Sequence, residues 1–228
     1  MRRLWMLCVL VLCLSQVGLA QGTPSFEVFG GASYFRLHAS GAEAPEFVGV
    51  QGVLLCPPTV PSSAGCLEQR NINFGLYGWD ASVTQNMNNW FGGDLDVSGV
   101  YATPKPSFFY PPVAIPTSIY TVMYGPRFTY RKSGRLTPFF HVLLGVARIN
   151  GHNNQATIFT PLDALVPQGT SRSETAFALA PGGGIDMRIG HSISIRLIQL
   201  DYVMTRFYGQ RQDNARASAG VVFRFGGL

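Results

Sequence analysis

Four histidines and a scatter of serines are the residues of this chain that could carry acid–base or nucleophilic chemistry. The candidates are His141, the adjacent pair His191-Ser192, and Ser171 and Ser173 beside Glu174. Acyl transfer or hydrolysis needs a nucleophile within hydrogen-bond reach of a base, and a third group to orient that base. His191 follows Gly190 in a two-residue turn signal, where a histidine is ordinarily just solvated. No complete constellation assembles from these spacings. Catalysis is therefore not expected, and neither a metal nor another cofactor is implied.

A second set of residues is more informative. Asp80, Asp94, Asp96, Arg127, Arg131, Asp186, Arg188 and Arg224 lie inside runs that otherwise read as hydrophobic strands. A strand sends alternate side chains to opposite faces. From 120 to 131, Tyr120, Val122, Tyr124, Pro126, Phe128 and Tyr130 take one parity, and Thr121, Met123, Gly125, Arg127, Thr129 and Arg131 take the other. The same division recurs in 77–84, 91–101, 177–188 and 218–225. In 193–202 the phase changes between Leu197 and Ile198, which predicts a β-bulge there. Glu27, Arg196, Asp201 and Arg216 join the charged parity, giving a near balance of acids and bases. His141 shares the parity of Gly145 and Ala147.

Eight segments alternate in this way: residues 26–36, 73–86, 91–101, 119–131, 137–149, 175–189, 192–206 and 215–225. Each is long enough to cross a bilayer as a tilted strand, which takes about 9–11 residues. The connections alternate in length. Residues 38–71, 102–118 and 150–174 are long and 207–214 is intermediate, whereas 87–90, 132–135 and 190–191 are tight. Short turns at one end and longer loops at the other are the layout of a bacterial outer-membrane barrel. Aromatic residues gather at strand ends: Trp90, Phe91, Tyr130, Phe223 and Phe225 at one rim, and Tyr34, Tyr101, Tyr120, Phe207 and Tyr208 at the other.

Composition agrees with an enclosed charge. Charged residues make up 13% of the chain, against about 25% in soluble domains. Lys105 and Lys132 are the only lysines. Arginine suits enclosed pairs because its planar fork meets carboxylates bidentately. The start of the chain reads as a secretory signal peptide over residues 1–20. Arg2 and Arg3 precede an apolar stretch at 4–14, and Gly18-Leu19-Ala20 offers a cleavage site. Its removal lowers the basic count from 17 to 15, against 12 acids, with no basic run left. Nucleic acid is an unsuitable partner for such a chain. Cys56 and Cys66 then remain in an exported segment, where a disulfide is the default.

The runs Gly78-Trp79-Asp80-Ala81-Ser82-Val83, Gly125-Pro126-Arg127-Phe128, Thr137-Pro138-Phe139 and Gly220-Val221-Val222-Phe223-Arg224-Phe225 carry a family resemblance. With them, residues 21–228 resemble the OmpA-like eight-stranded outer-membrane β-barrel. The resemblance implies an all-β, antiparallel up-and-down transmembrane barrel with a polar, filled lumen and both mature termini in the periplasm. It implies outer-membrane lipid and lipopolysaccharide as surroundings, and the barrel-assembly machinery as reader of the C-terminal aromatic segment. It also implies a structural or surface-interaction role through extracellular loops that contact an external ligand. A narrow porin for small solutes is the alternative, with Gly78, Gly92, Gly125, Gly145, Gly184 and Gly220 leaving room in the lumen. A lipid A-modifying enzyme is the distant third. A soluble lipocalin-like carrier would need the opposite orientation of the two parities.

Overall fold

The computed structural model describes residues 23–39, 72–103, 116–132, 134–152, 158–159, 165–166, 171–207 and 211–226. The proposed signal peptide, Cys56, Cys66 and Tyr208 lie outside them. Eight long antiparallel strands close into one barrel in the order β1-β10-β9-β8-β5-β4-β3-β2. They are β1 (Phe26–Ala39), β2 (Ile72–Asn86), β3 (Phe91–Ala102), β4 (Thr117–Thr129), β5 (Leu136–His152), β8 (Ser171–Arg188), β9 (Ile193–Thr205) and β10 (Gln212–Phe225). A two-residue pair, β6 (Ile158–Phe159) with β7 (Leu165–Val166), interrupts the connection between β5 and β8, where the sequence pattern shows only a long loop. The first and last strands seal the wall with Phe26 opposite Phe225 and Arg36 opposite Ala215. Closure satisfies every strand edge, which a lipid-facing sheet requires.

Both described ends of the barrel chain, and the tight turns after β2, β4 and β8, lie at one rim. The turn at 87–90 is built by Asn88, whose side-chain Oδ1 accepts from the N–H groups of Trp90 (3.0 Å) and Phe91 (2.8 Å). The turn before β5 uses Gly134 at φ 61°, a conformation that favours glycine. The longer connections, after β1, β3, β5 and β9, all leave from the opposite rim.

The outside of the wall is apolar. Val28, Tyr34, Tyr77, Trp79, Val83, Leu95, Tyr120, Val122, Tyr124, Phe128, Phe140, Leu144, Phe177, Ile185, Leu200 and Phe223 all point outward and are exposed. Such a continuous band has no place in water and is the lipid-facing belt of a membrane barrel. The phase change in β9 is a bulge. On β8, Ile185 faces Ile198 but Asp186 faces Arg196, which leaves Leu197 as the extra residue. Leu197 is 46% exposed and Ile198 44% exposed, so both stay on the lipid side, while Arg196 and Gln199 point inward.

Three expectations need correction. Phe207 is not part of the outer aromatic rim; it is fully buried inside the barrel. The lumen carries its buried charges only in the half near the short turns. Its other half is packed with Phe35, Leu37, Leu76, Val100, Ile119, Met123, Leu143, Ala147, Ile149, Val203 and Phe207. These residues share the inward parity with the charges, so the charges alone made the whole face read as polar. Finally, the inward glycines do not leave space. A Cβ on Gly125 would sit 1.9 Å from the Val142 carbonyl oxygen, and one on Gly78 would sit 2.0 Å from that of Gly99. These glycines let neighbouring backbones approach closely in a tightly curved wall.

Candidate functional site

The charged half of the lumen is one connected network, and barrel closure is what assembles it. At its centre Arg216 on β10 is buried (1% exposed). It donates from Nη1 and Nη2 to the two oxygens of Asp96 on β3, at 2.7 and 3.1 Å. It also donates from Nε to Asp201 Oδ2 on β9 at 2.9 Å. Asp80 on β2 lies 3.6 Å from Nη1. Neither Asp80 oxygen makes a hydrogen bond, so Arg216 holds that carboxylate by charge alone.

From Asp201 the network continues into a ring. His141 on β5 contacts Asp201 Oδ1 through Nε2 at 2.8 Å and Asp94 Oδ2 through Nδ1 at 3.3 Å. Asp94 accepts from Thr84 Oγ1 at 2.9 Å and lies 3.7 Å from Arg127. Arg127 donates to Asp186 Oδ2 at 3.1 Å. Arg196 donates from Nε to Asp186 Oδ1 at 2.8 Å and from Nη1 to Gln199 Oε1 at 2.6 Å. Gln199 returns to Asp201 Oδ2 at 2.8 Å, which closes the ring. A branch runs to the short-turn rim. Glu27 lies 3.6 Å from Arg127, accepts from Arg131 at 2.9 Å and lies 3.5 Å from Arg224.

The network brings acids and bases together in near balance. Six acids (Glu27, Asp80, Asp94, Asp96, Asp186 and Asp201) meet five arginines (Arg127, Arg131, Arg196, Arg216 and Arg224). His141 stands between two of the acids, each ring nitrogen facing a carboxylate oxygen, an arrangement in which the imidazolium form can donate from both. Buried charge is tolerated when it is paired and hydrogen-bonded in this way. Aromatic rings cover the guanidinium faces. Arg127 stacks 3.8 Å from the Phe139 ring centre, and Arg196 stacks 4.1 Å from Phe29 and 4.4 Å from Phe139.

Eleven of the twelve residues proposed for the lumen thus come together. Arg188 does not. It is the last residue of β8, and its side chain stands exposed at the short-turn mouth, where water solvates it more cheaply than the interior would. His141, Gln199, Thr84, Phe29 and Phe139 belong to the site without having been assigned to it. For His141 the signal was present in its parity. Phe29 and Phe139 carry no charge and gave no signal.

The catalytic candidates are scattered. His141 is committed to two carboxylates inside the wall, away from lipid. His191 and Ser192 are exposed in the tight turn after β8. Ser173 accepts a hydrogen bond from Arg148 Nη2 at 3.1 Å, near the opposite rim. Ser171 begins β8 at that same rim, and its side chain is outside the described set. Neither His141 nor His191 is paired with a serine, and among the described residues no cluster of histidine, cysteine and carboxylate could hold a metal ion.

No family model matches the chain, and no curated protein matches it. Solved structures do. Neisserial surface protein A (NspA) is 11% identical with a TM-score of 0.58, the match covering 90% of this chain and 100% of that one. Ail, the attachment invasion locus protein of Yersinia pestis, is 14% identical with a TM-score of 0.51, covering 88% and 100%. The outer membrane protein OprG from Pseudomonas aeruginosa is 8% identical with a TM-score of 0.52, covering 91% and 100%. At these identities the likeness is one of fold: the chain is built as an eight-stranded outer-membrane β-barrel.

Proposed function

We propose that this chain is an integral outer-membrane protein that keeps its lumen shut and acts through the long connections at one rim. The observation that carries this reading is the burial of the lumen side chains over the full height of the barrel. Arg127, Arg196 and Arg216 in one half, and Leu37, Leu76, Ile119, Leu143 and Phe207 in the other, have at most 1% of their surface within reach of water. A conducting pore would wet at least one line of them. Eight strands enclose a space that side chains can fill, and here they do.

In this reading the short-turn rim and both mature termini face the periplasm, and the connections at 40–71, 104–115, 153–170 and 208–210 face outward. Lipopolysaccharide and phospholipid surround the belt, and the segment ending at Phe225 is presented to the barrel-assembly machinery. The disulfide between Cys56 and Cys66 would clip the longest external connection. A non-enzymatic surface or structural role follows, with an extracellular ligand as partner. The porin alternative loses its support because the glycines that were to make room for solute are filled by neighbouring backbone.

Two measurements test the proposal. Planar-bilayer recordings of the refolded protein are expected to show no conductance steps, and regular unitary steps would overturn the closed-lumen reading. An epitope inserted at residue 60 should stain on intact cells, and one inserted at residue 88 only after permeabilisation. The reverse pattern would overturn the orientation.

A further inference from the structure

The outer wall carries a feature that the closed lumen and the loops leave unused. Near the short-turn rim, β4, β5 and the turn at 87–90 form an open cleft of about 360 Å³ lined chiefly by Trp90, Phe128, Tyr130, Pro138 and Phe140. Its walls are braced. Trp90 stacks on Phe128 at 6.0 Å, Phe91 leans on Phe128 at 5.4 Å, and the Thr129 N–H donates to the Trp90 carbonyl at 2.8 Å. Aromatic residues are expected at a membrane interface. A concave, braced slot long enough for part of an acyl chain goes beyond a simple girdle.

The charge beside this slot has one sign. Lys132, Arg135 and Arg188 are exposed at the same rim. Lys132 lies two residues beyond Tyr130, and Arg135 three residues before Pro138, in the turn between β4 and β5, so each is at most about 10 Å of chain from the slot. Arg188 is drawn alongside by the hydrogen bond from its N–H to the Arg135 carbonyl, 2.8 Å. The acids of this end, Glu27 and Asp186, are buried and already paired with arginines inside the wall. Among the described residues no exposed acid neutralises the three cations. Of the proposed lumen arginines, Arg188 is the one left outside, which places it in this group.

We infer that this face is a binding site for an anionic phospholipid of the phosphatidylglycerol class, with an acyl chain in the aromatic slot and the phosphodiester against Lys132, Arg135 and Arg188. The match is one of chemistry. The slot offers apolar surface at the depth of the upper acyl chain, and the cations offer donors at the depth of the phosphate. A zwitterionic headgroup would bring its own cation to an already cationic rim. The inference requires only that the barrel sits in a bilayer, so it stands apart from the role of the loops.

Tryptophan quenching reads this directly. In the processed protein carrying Trp79→Phe, Trp90 is the one remaining indole. The protein is reconstituted into phosphatidylcholine bilayers containing equal mole fractions of brominated-chain phosphatidylglycerol or brominated-chain phosphatidylcholine. Trp90 should prefer the anionic quencher by roughly fivefold in relative affinity, the scale one basic residue contributes beside anionic lipid. The preference should vanish in Lys132→Gln/Arg135→Gln/Arg188→Gln, whose heat-modifiable gel migration shows that the barrel still forms. The complementary Trp90→Phe protein reports from Trp79, midway along β2 and hydrogen-bonded to Tyr101, and should show no preference. Equal quenching of Trp90 by the two lipids would overturn the site. So would a preference that survives the triple substitution or appears equally at Trp79.

Discussion

Replacing Arg216 with methionine removes the central cation of the lumen while leaving its volume nearly filled. Three carboxylates then lose their guanidinium: Asp96, held by two hydrogen bonds of 2.7 and 3.1 Å, Asp201 at 2.9 Å, and Asp80 at 3.6 Å. Asp201 keeps His141 and Gln199, but Asp96 and Asp80 keep no cation within ion-pair distance. Two unit charges 4 Å apart interact by about 4 kcal/mol at an effective dielectric of 20, and breaking a buried pair from one side costs about 3–5 kcal/mol. Protonation of an orphaned aspartate limits the loss to that scale. Arg216→Met should therefore lower the unfolding free energy by about 4 kcal/mol, on the order of a thousandfold in the folding equilibrium. The assay is urea unfolding in lipid vesicles, followed by tryptophan emission and heat-modifiable migration. Arg211→Met is the control, since it breaks the ion pair to Asp213 (2.9 Å) at an exposed rim where solvent screens the charge. Adding Asp96→Asn to Arg216→Met should recover part of the loss, because it removes one of the orphaned charges. If Arg216→Met unfolds at the same urea concentration as Arg211→Met, the network carries no stability and the reasoning fails.

Three further outcomes are expected. His141→Leu leaves Asp94 and Asp201 facing one another without a cation between them, and should cost about 3 kcal/mol or more in the same unfolding assay. Gly125→Ala places a methyl group 1.9 Å from the Val142 carbonyl and should abolish the heat-modifiable folded band, whereas Gly30→Ala, with nothing within 4 Å of the new Cβ, should fold as the parent does. Alkylation of the denatured, unreduced mature protein should add no label by mass spectrometry, and reduction beforehand should expose two thiols, Cys56 and Cys66.

The wall of this barrel was legible because lipid and lumen impose opposite chemistry on alternate residues. Tyr120 to Tyr130 reads as lipid-facing from parity alone, and the switch at Leu197 and Ile198 marks the bulge because two successive apolar residues cannot otherwise share the lipid side. The inside was less legible. Phe35, Leu37 and Leu76 lie on the same parity as Glu27 and Asp80, and only the register, with Phe35 opposite Leu76, shows that they form a separate apolar layer. Within the site, Arg196 with Asp186 is a hairpin pair ten residues apart, but other pairs join strands far apart in sequence. Arg216 and Asp96 are 120 residues apart, and Arg131 and Glu27 are 104 apart, so no local pattern could match them. Arg188 was misplaced for a related reason, since parity assigns a face but not a depth along the barrel axis.

The division of the lumen into two layers explains why charge can reside there. An ion pair strengthens as water is excluded, and the network is closed off from the loop rim by Phe35, Leu76, Ile119 and Phe207, with almost no surface accessible to water. In the closed-lumen reading proposed above, that apolar layer would act as a dewetted seal of the kind that blocks ions in hydrophobic constrictions. It also keeps water from competing for Arg216 and His141. The ion pairs in turn cross-link all eight barrel strands through their side chains, Glu27 bringing in β1, which holds the wall in the close curvature that the inward glycines permit. A solute passing through would have to wet the apolar layer and break the ring in the same event. Weakening either layer alone leaves the other as a barrier, so a barrel that loses stability through Arg216→Met should still fail to conduct.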